Sequence, residues 1–177
     1  MRQYLGVGLW LSLFAITAFA ADDVATAVAG TVKSVDKGTK TVVVKTSDGA
    51  EQTFHFVGRT VSHGAEATAK GSKEAFQDVK EGDNVVVHYS VKGAEKTAEE
   101  VDHVGKDGLR MSVVAIKSID EGAKTITVKT AEGGEETYRM ADRAARESGK
   151  GLEKAGKVTV YYSEEAGKKI AHFFKSN

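Results

Sequence analysis

An internal duplication constrains the fold of this chain more than any other sequence feature. Residues 33–36 read Lys-Ser-Val-Asp and residues 117–120 read Lys-Ser-Ile-Asp, and this offset of 84 positions holds without a gap as far as residues 53 and 137. Later, residues 85–90 match residues 158–163 at an offset of 73 positions, so the first copy is longer by the difference between the two offsets. A repeat of this length predicts two similar structural units in tandem.

The two copies serve as an alignment that identifies the buried faces. Apolar residues retained at every second position indicate a strand that presents one side to a core. A spacing of three, as between Val32 and Val35 and again between Ile116 and Ile119, predicts a β-bulge in the first strand of each copy. The retained alternating positions are Val42, Val44, Phe54, Phe56, Val85, Val87 and Tyr89 in the first copy, and Ile126, Val128, Tyr138, Met140, Val158, Val160 and Tyr162 in the second.

Short turns that contain glycine separate the first three strands of each copy. Residues 36–39 and 120–123 join strands one and two, and residues 47–49 and 131–134 join strands two and three. We predict positive φ at the glycine of each turn, because tight hairpins require it.

The copies differ between strands three and four. In the second copy, residues 142–147 read Asp-Arg-Ala-Ala-Arg-Glu, which predicts a short helix with Asp142 near its N-cap. In the first copy, residues 58–71 are rich in Gly, Ala, Thr and Ser and predict a flexible loop that leads into a helical turn at residues 72–79. The order predicted for each copy is therefore β-β-β-α-β-β.

This order is that of an OB-type barrel. Residues 76–87, Phe-Gln-Asp-Val-Lys-Glu-Gly-Asp-Asn-Val-Val-Val, form a lead-in to a barrel strand that residues 151–160 repeat more loosely. On these motifs and the Lys-Ser-Val-Asp openings, the chain resembles small secreted bacterial OB-like β-barrel domains of unknown function, here in tandem. The resemblance implies a mainly β fold of two five-stranded OB-like barrels, and it implies no activity.

We expect the first barrel to span residues 21–105, with a long loop at residues 58–80, and the second to span residues 109–177. The adjacent Phe173 and Phe174 of the last strand place one ring on each of its faces. One of these rings is therefore expected to pack against the first barrel.

The first 20 residues differ in composition from the rest. Arg2 precedes an almost wholly apolar stretch over residues 5–19, and Ala-Phe-Ala at residues 18–20 fits the pattern at which signal peptidases cut. An apolar run of about 15 residues is short against the roughly 20 needed to span a bilayer. We predict that residues 1–20 are a signal peptide, which gives a periplasmic or secreted protein without a membrane span.

Composition excludes several classes of function. The chain has 25 Lys plus Arg against 25 Asp plus Glu and no Cys. Balanced charge lacks the basic footprint of a nucleic-acid binder, and the absence of Cys excludes disulfides, thiolate nucleophiles and cysteine zinc sites. No nucleophile elbow or phosphate loop is present. We therefore predict no enzymatic activity, no catalytic residue and no cofactor.

Outward-facing polar positions of the strands give a candidate ligand-binding surface. Nucleic acid is an unlikely partner for it, because the aromatic rings needed for stacking on bases point inward. The predicted function is an exported, non-catalytic binding or scaffolding module of the cell envelope, whose partner is an envelope protein, a glycan or a small molecule. The candidate ligand-binding residues are Lys45, His55, His88, Lys129 and Arg139.

The alternative is a periplasmic metal-binding protein that uses His55, His63 and His88 of the first copy. A loop folded back over strands three and four would bring the three imidazoles together. The second copy has arginine and tyrosine at the positions of His55 and His88, so only the first copy can hold such a site. Copper-carrying OB-type proteins of the periplasm use Met and an aromatic ring beside His, whereas Met140 aligns with the core position Phe56, so the sequence does not fit that ligand set.

Overall fold

The computed structural model describes residues 26–63, 75–106, 108–148, 151–152 and 155–177. The predicted signal peptide lies outside the described residues, as do residues 64–74 of the predicted long loop. Among the residues described, no helix combines the length and the apolar character needed to cross a membrane.

Each sequence copy folds into a closed five-stranded barrel. The first barrel contains β1 (Thr26–Asp36), β2 (Thr41–Thr46), β3 (Glu51–His63), α1 (Ala75–Asp78), β4 (Asn84–Lys92) and β5 (Glu95–His103). The second contains β6 (Arg110–Asp120), β7 (Thr125–Lys129), β8 (Glu135–Met140), α2 (Asp142–Ser148), β9 (Val158–Glu165) and β10 (Lys168–Ser176). The mainly β class and the β-β-β-α-β-β order are therefore confirmed.

The two barrels have the same strand order. In the first the order is β1-β2-β3-β5-β4 and in the second β6-β7-β8-β10-β9, and the fourth strand of each closes the barrel on the first. All neighbouring strands are antiparallel except β3 with β5 and β8 with β10, which run parallel. The last two strands of each barrel, β4–β5 and β9–β10, pair antiparallel as a hairpin.

The alternating apolar residues fill the two barrel interiors as predicted. Val42 and Val44 of β2 and their counterparts Ile126 and Val128 of β7 are all buried. Each side chain of this size contributes about 1.5–3 kcal/mol when it is removed from water. The apolar residues of the other strands join them in two separate core clusters, one in each barrel.

The predicted bulge is present in the first strand of each barrel. The β1–β2 register shifts between Val32 and Ser34, and the β6–β7 register shifts between Ile116 and Ser118. Near the first bulge, a Cβ on Gly30 would lie 2.5 Å from the backbone oxygen of Lys45, so only glycine allows the two strands to approach this closely.

The prediction for the β1–β2 turn was wrong about where positive φ occurs. It lies on Lys40 (φ 53°) and, in the second barrel, on Lys124 (φ 50°), two residues after the glycine. Gly38 instead makes room for a side chain: its N–H donates to Asp36 Oδ1 at 2.8 Å, and a Cβ would lie 3.3 Å from that oxygen. Gly49 of the β2–β3 hairpin and Gly133 of the β7–β8 hairpin do have positive φ, as predicted.

The start of the predicted long loop is a strand. Residues 58–63 extend β3 beyond a shift of register and pair in parallel with β5, with His63 beside Asp102. The buried Thr60 stabilises this irregularity because its hydroxyl donates to the backbone oxygen of Ala98 at 2.6 Å. The consequence for function is that His63 lies on an ordered strand next to β5.

The outer faces of the β4–β5 and β9–β10 hairpins pack against each other. Phe173 provides the outward ring that the sequence predicts to meet the first barrel, and it lies 5.6 Å from the ring of Tyr161 and 6.4 Å from that of His88. Leu109 is buried in the same contact, where its N–H donates to the backbone oxygen of His103 at 2.6 Å. This third apolar cluster holds the barrels in direct contact, and its members are Ala29, Val86, Leu109 and Tyr161, with Ala27, Val104 and Phe173 packed on them.

Candidate metal centre at the barrel interface

A bulge in the β4–β5 hairpin places two carboxylates on the outer face of the first barrel. His88 pairs with Glu100 and Tyr89 pairs with Ala98, so Glu99 is an extra residue in β5. Ala98 and Val101 both face the core, and without the bulge the alternation of the strand would direct Glu100 and Asp102 to the same side as Ala98. The bulge therefore turns both carboxylates outward, beside His88.

These carboxylates converge on His63 at the end of β3. His63 Nδ1 lies 3.1 Å from Asp102 Oδ1 and 3.2 Å from Glu100 Oε1. On the other side, His88 Nε2 lies 3.6 Å from Asp102 Oδ2. Asp102 is 0% exposed and His88 2% exposed, so the centre of the cluster is closed to bulk water.

The second barrel completes the enclosure. Arg143 of α2 places its Nε 2.9 Å from Glu100 Oε2. His172 of β10 is buried nearby and its Nε2 lies 2.9 Å from Ser163 Oγ. Burial lowers the pKa of His172, while the negative charges of Asp102 and Glu100 oppose that shift.

The carboxylates hold a proton on His63. Hydrogen bonds to Asp102 and then to Glu100 raise the pKa of His63 to about 9. Burial acts to raise the pKa of Asp102, but His63 and His88 outweigh it and lower that pKa to about 2. The pKa of Glu100 is also lowered. Burial acts to raise it, and the hydrogen bond to His63 is the strongest of the contacts that lower it. Near neutral pH the cluster therefore contains an imidazolium between two ionised carboxylates.

The same atoms form a set of potential metal ligands. One nitrogen of His63 and one oxygen each of Glu100 and Asp102 lie within 4.8 Å of one another. Asp102 Oδ2 is buried and lies 3.6 Å from His88 Nε2, which is longer than a hydrogen bond, so this oxygen retains acceptor capacity for a cation. Imidazole and carboxylate ligands suit zinc and the neighbouring divalent transition metals. A metal ion at this position would take the place of the proton on His63.

The structure brings together two of the three histidines predicted as metal ligands. His63 and His88 both flank Asp102, whereas His55 is half-buried on β3 opposite Thr41 and Thr97 and does not belong to the ligand group. The expectation that His88 lies on an open surface was wrong. It does point away from the interior of the first barrel, but the second barrel covers it.

The remaining candidate ligand-binding residues lie elsewhere. Lys45 is exposed on β2, Lys129 is exposed at the equivalent position of β7, and Arg139 is exposed on β8. They are thus distributed over two barrels, and the ligand group does not include them.

Sequence reasoning missed Glu100, Asp102 and Arg143. A signal for the first two exists: Ala98 and Val101 are spaced by three, which is the spacing that correctly predicts the bulge in β1. The same reasoning, applied to the last strand of the first copy, would have predicted that both carboxylates point outward. Arg143 comes from the other barrel, and its position depends on how the two barrels pack.

Comparisons with known proteins do not assign the chain to a family. No family model matches it, and no curated protein matches it. Among solved structures, Ag(I)-bound CusF shows 14% identity and a TM-score of 0.33, covering 45% of this chain and 96% of that chain. A tryptophan-to-alanine variant of CusF from Escherichia coli with Cu(II) shows 15% identity and a TM-score of 0.33, covering 45% of this chain and 90% of that chain. Similarity at this level establishes no shared ligand, so function has to be argued from the geometry of the site.

Proposed function

We propose that this protein is a non-catalytic metal-binding protein that holds one divalent transition-metal ion at His63, Glu100 and Asp102, with His88 beside them. The observation that carries the proposal is the convergence of one imidazole nitrogen and two carboxylate oxygens within 4.8 Å of one another. The burial of Asp102 adds support, because its charge needs a cation beside it, and a metal ion could serve in place of the His63 imidazolium.

The ligand chemistry favours Zn²⁺, Ni²⁺ or Cu²⁺ over soft monovalent ions. Soft ions select thiolate and thioether ligands. The chain contains no Cys, Met140 is buried in the core of the second barrel, and the exposed Met111 lines a cavity to which His63, Glu100 and Asp102 do not contribute. Nitrogen and carboxylate oxygen ligands suit the borderline divalent ions instead.

The compartment belongs to the same proposal. The apolar segment at residues 5–19 and the Ala-Phe-Ala that follows support export to the periplasm or the medium. A chain without Cys forms no disulfide there.

Equilibrium dialysis against Zn²⁺, Ni²⁺ and Cu²⁺ tests the proposal. We expect one equivalent to bind the wild-type chain, and we expect His63→Gln and Asp102→Asn each to weaken binding by roughly tenfold or more, because the first removes the imidazole ligand and the second removes the negative charge of a ligand. His55→Gln is the matched control, since His55 lies on the same strand outside the ligand group. Equal affinity in His63→Gln and the wild type would exclude this centre.

A second candidate, a small-molecule binding module, is favoured by a cavity between the barrels. Its volume is about 380 Å³, within the range of pockets that hold organic ligands. Lys45 and Lys175 line it together with Tyr161 and Met111, which suits an anionic ligand with an apolar part. Native mass spectrometry of the protein from its own cells tests this candidate, because it would show an organic adduct where the first proposal requires a metal ion.

A further inference from the structure

The metal centre receives a permanent positive charge from the second barrel. Arg143 Nε contacts Glu100 Oε2 at 2.9 Å, and Glu100 Oε1 contacts His63 Nδ1 at 3.2 Å. One carboxylate is therefore shared between an imidazole of the first barrel and a guanidinium of the second. Because a guanidinium does not lose its proton in proteins, this contact persists at any pH at which Glu100 is ionised.

A divalent ion and Arg143 compete for the same negative charge. The centre has two carboxylates, and a dication held by both uses the charge of both. Arg143 would then lie beside a neutralised carboxylate and close to a dication, and like charges at such short range repel each other.

Arg143 can move away from Glu100 while its neighbour Ala144 holds α2 in place. Its side chain is 29% exposed, so solvent is within its reach. The next residue, Ala144, is buried in the core of the second barrel and keeps α2 in place. A change of side-chain rotamer at Arg143 is therefore enough to separate its guanidinium from Glu100.

We infer that Arg143 determines the metal affinity of this centre: it competes with the metal ion for Glu100 and leaves that carboxylate when the ion binds. Occupancy of a centre built by the first barrel thereby releases a contact made by the second. This inference rests on the proposed metal-binding function, and it adds a role for a residue that is not itself a ligand.

Isothermal titration with Zn²⁺ tests the role of Arg143. We expect Arg143→Gln to bind Zn²⁺ about tenfold more tightly than the wild type, equivalent to about 1.4 kcal/mol. Arg143→Lys should stay near the wild-type affinity because it keeps the charge. Arg139→Gln is the control for a general loss of positive charge, because Arg139 is exposed on β8 and lies outside the centre.

Unchanged or weaker binding in Arg143→Gln overturns the inference, and weaker binding would mean that Arg143 orients Glu100 for the metal ion. If only Arg143→Gln binds Zn²⁺ and the wild type does not, the competition is supported while the proposed function of the natural chain fails. If neither binds, both fail.

A second measurement on the wild type keeps the inference testable if Arg143→Gln does not fold. In nitrogen-15 NMR, the Nε–H signal of Arg143 should be protected from exchange with water in EDTA and lose that protection on addition of Zn²⁺. Retained protection with bound Zn²⁺ would overturn the inference.

Discussion

At the interface between the barrels, equivalent positions hold ionisable side chains in the first barrel and mostly aromatic side chains in the second. In the first barrel His88 pairs with Glu100, and at the equivalent positions of the second Tyr161 pairs with Phe173. Two residues before His88, Val86 pairs with Asp102. The equivalent pair in the second barrel is Thr159 with Lys175. One outer face therefore offers imidazole and carboxylates, and the other offers aromatic rings that cover them.

The backbone does not explain this difference. The β9–β10 register also shifts, between Ala171 and Phe173, so both hairpins contain a bulge at the same place. The two copies have outer faces with the same strand geometry. Different side chains make one face a candidate site and the other the surface that covers it. The centre consequently depends on both barrels even though its ligands all come from one.

The largest expected effect on stability comes from removing the charge at two equivalent positions of this interface, Asp102 and Lys175. Asp102→Asn should lower the free energy of unfolding by about 3 kcal/mol, because it leaves the His63 imidazolium without its buried partner. Lys175→Met should change it by less than about 0.5 kcal/mol, because Lys175 is only half-buried. Urea denaturation followed by circular dichroism in EDTA measures both. Equal costs would show that the two faces are energetically alike.

The pH dependence of stability should differ in sign between the two barrels. The pKa of His63 is raised to about 9, so its stabilising contribution is complete below the unfolded value of about 6.5 and is lost as pH rises through about 9. The pKa of His172 is lowered by burial, so its contribution is present above about 6.5 and is lost as pH falls below that value. Asp102, with a pKa of about 2, keeps its contribution until the solution is far more acidic.

Denaturation of two variants in EDTA measures this difference. His63→Gln should abolish most of the loss of stability that the wild type shows between pH 6.5 and 9, and His172→Gln should reduce the loss below pH 6.5. His55→Gln should keep the wild-type profile, since it lies outside the cluster. A wild-type profile that is flat from pH 6.5 to 9 would contradict the raised pKa of His63.

The fold was predictable because the repeat states each buried position twice. Val42 and Val44 recur as Ile126 and Val128, and an alternation seen in two copies separates a strand from chance. The bulge in β1 was predictable for the same reason, since the spacing of Val32 and Val35 is repeated. Where the copies differ, at residues 58–63, the prediction failed: composition indicated a loop, but parallel pairing with β5 makes a strand.

The site was only partly predictable because its contacts are not local. His63 and His88 could be named from the sequence, but their approach depends on Asp102, whose direction is set by the bulge at Glu99. The burial of His88 depends on Phe173, which belongs to the other barrel. Periodicity describes one strand at a time, so it carries no information on how one barrel covers another.

One polar feature, in contrast, is retained in both barrels. A lysine of the last strand lies over two core rings and bonds to a side chain of the third strand. In the first barrel Lys96 Nζ lies 6.0 and 5.5 Å from the ring centres of Phe54 and Tyr89 and donates to Gln52 Oε1 at 2.7 Å. The second barrel repeats this with Lys169 Nζ at 5.4 and 5.3 Å from the rings of Tyr138 and Tyr162 and 2.6 Å from Glu136 Oε2.

The smallest expected effect concerns this repeated lysine. Lys96→Met keeps an apolar stem over the rings and should cost about 0.5–1 kcal/mol through loss of the cation–π contact and of the hydrogen bond to Gln52. Lys169→Met should cost about 0.5 kcal/mol more at low salt, because it also breaks a partly exposed ion pair with Glu136. Because about 1 M salt shortens the Debye length to about 3 Å, urea denaturation in that salt should bring the two costs together. A difference that persists in high salt would mean that the two lysines are distinguished by the packing of their rings, not by the charge of Glu136.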